Sequence, residues 1–129
     1  MSELEQICQR LLRDSNALAI LLIDRSGRLV AHAGEALDAQ SLSSVTSLAI
    51  DHLLAEREYW TPFSHGKGRH LHLLPVGKHA VVAVVFDIRS SLGLVRLRAK
   101  KAVDALARCF DRGPGGGSAP PAAALIDDD

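Results

Sequence analysis

Aromatic residues are only 4% of the 129-residue chain, so any core must be built from Leu, Ile, Val and Ala. Cysteine is equally scarce. Cys8 and Cys109 can neither frame a disulfide-stapled fold nor supply the closely spaced ligands of a zinc site. No charge of one sign dominates either, because 15 Lys and Arg face 15 Asp and Glu. Nucleic-acid binders usually show a basic surplus, so no nucleic-acid partner is expected. No apolar run approaches the ~18 residues that span a bilayer. The N-terminal stretch opens acidic and lacks the basic segment of a secretory leader. No membrane partner is expected, and the expected location is the cytoplasm.

What is present suits one domain, since this length is too short for two cores. Composition changes sharply at Asp111: residues 111–129 hold 4 of the 10 Gly and 3 of the 5 Pro and end in Asp127, Asp128 and Asp129. Such a segment buries too little apolar surface to offset its ordering entropy. Residues 1–110 are therefore predicted as the domain and 111–129 as a disordered Gly/Pro-rich acidic tail. With Asp111 and Arg112 counted, the tail carries −3, which leaves +3 on residues 1–110.

Ser2 and Glu5 have capping-box spacing, and Leu4, Ile7, Cys8, Leu11 and Leu12 recur on one helical face. Ala17 to Ile23 is a continuous apolar run, Arg25-Ser26-Gly27 a turn, and Leu29 to Ala33 a second strand, together a β-hairpin. A second helix runs from an Asp38 cap to about Glu56, with Leu42, Val45, Ala49 and Leu53 inward. Ser44, Ser47, Asp51 and Ala55 lie opposite, flanked by Leu48 and Leu54. Strands follow at Tyr59 to Ser64, Arg69 to Leu74 and Ala80 to Phe86, with turns at His65-Gly66-Lys67-Gly68 and Val76-Gly77-Lys78. A third helix starts near Ser90 or Ser91 and ends near Phe110. Runs 17–23 and 80–86 are apolar on both faces and belong side by side in the middle of a covered sheet. Pro62 cannot donate to a ladder, so strand 59–64 belongs at an edge. The predicted fold is α-β-β-α-β-β-β-α, an α/β (α+β) architecture with a five-stranded antiparallel sheet between helices.

No chemistry of bond-making emerges. His70 and His72 share one strand face, with His65 across the turn, and are expected to face solvent without a metal, since zinc needs three or four ligands. His65-Gly66-Lys67-Gly68 leads into a strand and lacks the Ser or Thr of a phosphate loop. Both cysteines fall on core stripes, and the serines at 41, 43, 44 and 47 lie on a helix with no elbow motif. No catalytic residue and no cofactor are expected. On the third helix, Arg96, Arg98, Lys100 and Lys101 crowd the first half, with Lys100–Asp104 and Asp104–Arg108 spaced to pair. Leu94 and Leu97 fall off the main stripe on the side of Lys101 and Arg108. They either tuck under the first helix or meet a partner.

Two segments carry a resemblance. Ile20-Leu-Leu-Ile-Asp24-Arg-Ser-Gly27-Arg-Leu-Val30 and Val84-Val-Phe-Asp87-Ile-Arg-Ser-Ser-Leu-Gly-Leu-Val-Arg-Leu-Arg-Ala-Lys-Lys-Ala102 resemble bacterial Roadblock/dynein-light-chain domains, and within them the MglB-like branch. The likeness spans about residues 3–110. It implies the same α-β-β-α-β-β-β-α fold and dimerisation through the second helix and the edge strand after it. The residues so placed are Ser44, Ser47, Leu48, Asp51, Ala55, Trp60 and Phe63; independently of the likeness, Leu94, Leu97, Lys101 and Arg108 are expected to form a second partner surface. Implied partners are a second copy, an MglB-like Roadblock protein, an MglA-like Ras-family GTPase and a response-regulator polarity protein, with location at cell poles. Two features depart from the branch. The second helix reads Thr46-Ser-Leu-Ala-Ile-Asp-His52, bulkier than the Thr-Ala-Gly-Asn type, and related tails continue past an acidic stretch into an amphipathic segment. Both touch surfaces that engage the GTPase, so an adaptor is expected first and a direct GTPase activator second.

Overall fold

The computed structural model describes residues 2–63 and 67–112. The elements run α1 (Glu3–Ser15), β1 (Ala19–Asp24), β2 (Leu29–Gly34), α2 (Ala39–Ala55), β3 (Tyr59–Pro62), β4 (His70–Val76), β5 (Ala80–Phe86) and α3 (Leu92–Asp111). They form one antiparallel sheet in the order β2-β1-β5-β4-β3, which puts β1 beside β5 and β3 at an edge as predicted. His65 and the remaining predicted tail, 113–129, lie outside the described residues.

Strand alternation divides the core. Ile20, Leu22, Val82, Val84 and Phe86 point to the side that α1 and α3 cover, meeting Ile7, Leu11, Val95 and Leu106. Leu21, Ile23, Val81, Ala83 and Val85 point the other way, onto Val45, Ala49 and Leu53 of α2. Helix ends are set by local chemistry. Ser2 and Glu5 cap α1 reciprocally, each bond 3.1 Å long. Asp38 caps α2 by accepting the Ser41 N–H at 2.7 Å, and Ser91 caps α3 by accepting that of Leu94 at 3.2 Å. The end of α1 is stapled to the β5–α3 connection, where Asn16 donates to the Arg89 carbonyl and Ser90 to that of Ser15, both at 2.5 Å.

Several boundaries differ from expectation by a residue or two, β1 for instance starting at Ala19 rather than Ala17, and two of the differences have a clear physical cause. β4 continues through Pro75 and Val76, because β3 is only four residues long and reaches no further than Leu73. The missing Pro75 N–H therefore deprives no neighbouring strand. α3 runs through Asp111, whose carboxylate lies 3.5 Å from His79 Nε2, and Arg112 beyond it pairs with Glu3. Apolar spacing ends at Phe110, but these end-of-helix ion pairs carry the helix further.

Gly34 closes β2 at φ +85, where an added Cβ would stand 2.3 Å from the Leu18 carbonyl oxygen. Backbone cannot yield there as a flexible side chain would. Gly34→Ala is expected to cost about 2 kcal/mol or more, combining a left-handed backbone with a clash. Urea unfolding measures it.

Candidate functional site

The surface of α2 is built by its own periodicity. Ser41, Val45, Ala49 and Leu53 are buried, so Ser47, Asp51 and Ala55 are exposed on the far side, with Ser44 and Leu48 half-buried at its margins. Leu54 extends this face, 78% exposed. The structure does not bring all the predicted interface residues together. Phe63 is buried in the α2-side core with Leu71 and Leu73, so its side chain serves the protomer's own interior rather than an outer surface. Trp60 pairs across the ladder with His72, which turns it to the α3 side of the sheet, away from α2. It is half exposed and stacks on His70 with ring centroids 5.7 Å apart.

His70 and His72 do share a face, but it is not a solvent face. His70 is half-buried between Trp60 and Phe86, and His72 is completely buried beneath α3. A sheet covered on both sides leaves its inner strands no wet face, and that deduction was available from the sequence. His72 Nε2 donates to Glu58 Oε2 at 2.6 Å. The same carboxylate takes a two-pronged contact from Arg96, Nε to Oε2 at 2.5 Å and Nη2 to Oε1 at 3.1 Å. Glu58, just before β3, thus ties the edge strand to β4 and α3. Arg96 and then His72 hold the Glu58 carboxyl down at about 2, and burial lowers His72 below its ordinary value. His72 is therefore neutral, with its Nδ1 buried and unpartnered. No local pattern announces this network, because its members lie 14 and 38 residues from Glu58.

On α3, Leu94 is half-buried and joins neither core cluster, while Leu97 is 62% exposed. Lys101 and Arg108 are exposed and line a groove of about 380 Å³ between α1 and α3. The anticipated Lys100–Asp104 and Asp104–Arg108 pairs are absent from the ion pairs of the described residues, and Arg96 is spent on Glu58 instead. Burial pushes the Cys8 thiol up to about 12 and raises Cys109 as well, so neither is a poised nucleophile. Among the described residues no three His, Cys, Asp or Glu side chains are grouped to hold a metal, and no helix is long and apolar enough to cross a membrane.

This three-helix, five-strand arrangement is that of a Roadblock/LC7 domain. The Roadblock/LC7 domain from Streptomyces avermitilis superposes with a TM-score of 0.66 over 83% of this chain and 97% of its own, a likeness of fold alone at 15% identity. MglB from Myxococcus xanthus is 32% identical over 84% of this chain and 95% of its own, with a TM-score of 0.70. An MglB solved with a tetrameric arrangement is 29% identical over 80% of this chain and 84% of its own, with a TM-score of 0.66. The chain belongs to the MglB family of Roadblock proteins. No protein-family model and no curated protein matches the sequence.

The Glu58 network generates two expectations. Glu58→Ala leaves a buried imidazole and a guanidinium without their acceptor and should cost about 1–3 kcal/mol in urea unfolding. Acid should act through the same groups. Both bind protons more readily in the unfolded chain, so stability falls as pH falls. The His72 part starts below about 6.5, and the Glu58 part lies between about 4.5 and about 2. Glu58→Gln should flatten the second part, read from unfolding midpoints across pH.

Proposed function

We propose that this chain is a non-catalytic homodimeric regulator that acts as an adaptor in an MglA-type, Ras-like GTPase switch for polarity and motility. It binds an MglB-type Roadblock protein or another polarity protein, such as a response regulator. The observation that carries this reading is the combination, on an MglB-family fold, of a small α2 outer face with an edge strand that pairs on one side only among the described residues. Ser47, Asp51 and Ala55 permit close approach of a second α2, and β3 can extend its ladder into a second β3. Pro62 limits that ladder to part of the strand. Self-association also agrees with the tetrameric arrangement of the related MglB. Leu94, Leu97, Lys101 and Arg108 serve as a second partner surface, where cations steer an acidic partner and the leucines supply apolar contact.

The identity of 32% with MglB favours a second reading, in which the chain activates the GTPase directly. It would then order the GTPase's own groups rather than donate a catalytic residue. Single-turnover GTP hydrolysis by an MglA-type GTPase separates the two. An unchanged rate in the presence of this protein supports the adaptor, and acceleration replaces it with the activator. The interface has its own test in Ser47→Arg, which places a long cation in the α2 seam. Light scattering should show the dimer lost to monomer or aggregate, whereas an intact dimer removes α2 from the interface.

A further inference from the structure

The groove between α1 and α3 carries charge that the protomer does not use. Arg10 on α1 and Arg98, Lys101 and Arg108 on α3 line it, against Asp14 and Asp104, for a formal balance of +2. None of these six side chains enters an ion pair of the described residues, although several carboxylates elsewhere on the surface do. The Arg98 Nε is buried without a hydrogen-bond partner. Between the cations the floor is apolar, formed by Ile7, Leu11, Ala102 and Ala105. A basic rim over an apolar floor suits a segment that carries aliphatic side chains next to carboxylates.

Outside the described residues the chain contains one such segment. Ala122-Ala-Ala-Leu125-Ile126 is followed directly by Asp127-Asp128-Asp129, so apolar and acidic residues stand in the order that the groove would read. Reach agrees. α1 and α3 run antiparallel, since Glu3 meets Arg112 and Ser15 meets Ser90, and the groove lies alongside the middle of α3, from Arg98 to Arg108. Lys101 stands eleven residues before Arg112, or ~17 Å back along the helix at 1.5 Å per residue. Asp127 follows Arg112 by fifteen residues, a length that can extend to ~50 Å at most. The connection is therefore long enough for Asp127 to reach Lys101.

We infer that the α1–α3 groove is covered by the chain's own acidic segment, Leu125 to Asp129, held by Arg98, Lys101 and Arg108. Docked there, the segment shields Lys101 and Arg108, so an acidic partner must displace it. That regulatory consequence rests on the second partner surface proposed above; the docking itself does not. Ion pairs at a surface are weak and salt-sensitive, so the contact leaves little trace in an unfolding midpoint and has to be read at the groove.

Amide spectra of the full chain provide that reading. Asp127→Asn, Asp128→Asn and Asp129→Asn together alter none of the described residues, and an unchanged urea midpoint shows that folding is preserved. The inference expects shifts at Arg10, Arg98, Lys101, Ala102, Ala105 and Arg108, reproduced in the unsubstituted chain at about 1 M salt, where the screening length is ~3 Å. Lys101→Glu with Arg108→Glu should move the amides of Leu125 to Asp129 to their high-salt positions. Changes confined to residues 113–129 overturn the inference. So does a groove response that grows with protein concentration, which assigns the occupant to another molecule. A groove that ignores the tail substitutions yet responds to added oligoglutamate also overturns it, and identifies a site for a partner instead.

Discussion

The pairing of β1 with β5 sets two uninterrupted apolar strands side by side, from Ala19 opposite Val85 to Asp24 opposite Ala80. Because side chains alternate, this pair sends aliphatic groups to both faces, and water can be tolerated on neither. One layer of helix would leave half of that surface wet. α1 and α3 must close one side and α2 the other, which dictates a three-layer domain. With few aromatics to fill space, closure depends on many small aliphatic contacts. Val45, Val95 and Ala99 are accordingly inaccessible at the points where helices meet the sheet.

The edge of the sheet is held differently. β3 has only four residues, of which none is fully buried, so apolar packing alone gives it little purchase. Tyr59 stacks on His52 of α2 at 4.0 Å, and Glu58 grips Arg96 and His72 from the opposite side. These side chains fasten the edge strand to α2 and α3 in addition to its ladder with β4 and the packing of Tyr59 on the α2-side core. The strand's outer backbone groups are left to face whatever lies beyond it. Polar attachment is the physical solution for a strand that must be positioned accurately while keeping one side open.

Local patterns explain why most of the fold was legible in the sequence. Capping at Ser2 and Asp38, the apolar runs at 17–23 and 80–86 and the edge-confining Pro62 are all signals carried within a few residues. The site was less legible for a corresponding reason. Period-two alternation places Trp60 and Phe63 on opposite sides of β3. Grouping both with α2 overlooked that parity. The solvent-facing assignment of His70 and His72 treated β4 as half-wet, although a sheet covered on both sides had already been deduced. Arg96 looked like one cation in a basic helix face because its partner, Glu58, is remote in sequence. Leu97, by contrast, is as exposed as its off-stripe position suggested.

Both thiols and the His72 imidazole are buried, while the exposed groups lie on the outer faces of the helices and the sheet edge. Large apolar side chains exposed among the described residues do not gather into one patch. Leu54 belongs to α2, Trp60 and Ile88 border a shallow groove of about 420 Å³ between the sheet edge and the start of α3, and Leu97 stands on α3 itself. The first lies on one side of the sheet and the others on the opposite side. A protein seated against α2 would therefore leave the α3 side open, and the rigid sheet between them keeps the two surfaces in fixed relation. The exposed leucine of α2 and the cations bordering the α1–α3 groove therefore stand on separate faces of the domain. With a formal balance of +2, that groove attracts acidic groups only while its cations are unscreened, because a groove already neutralised offers neither steering nor affinity.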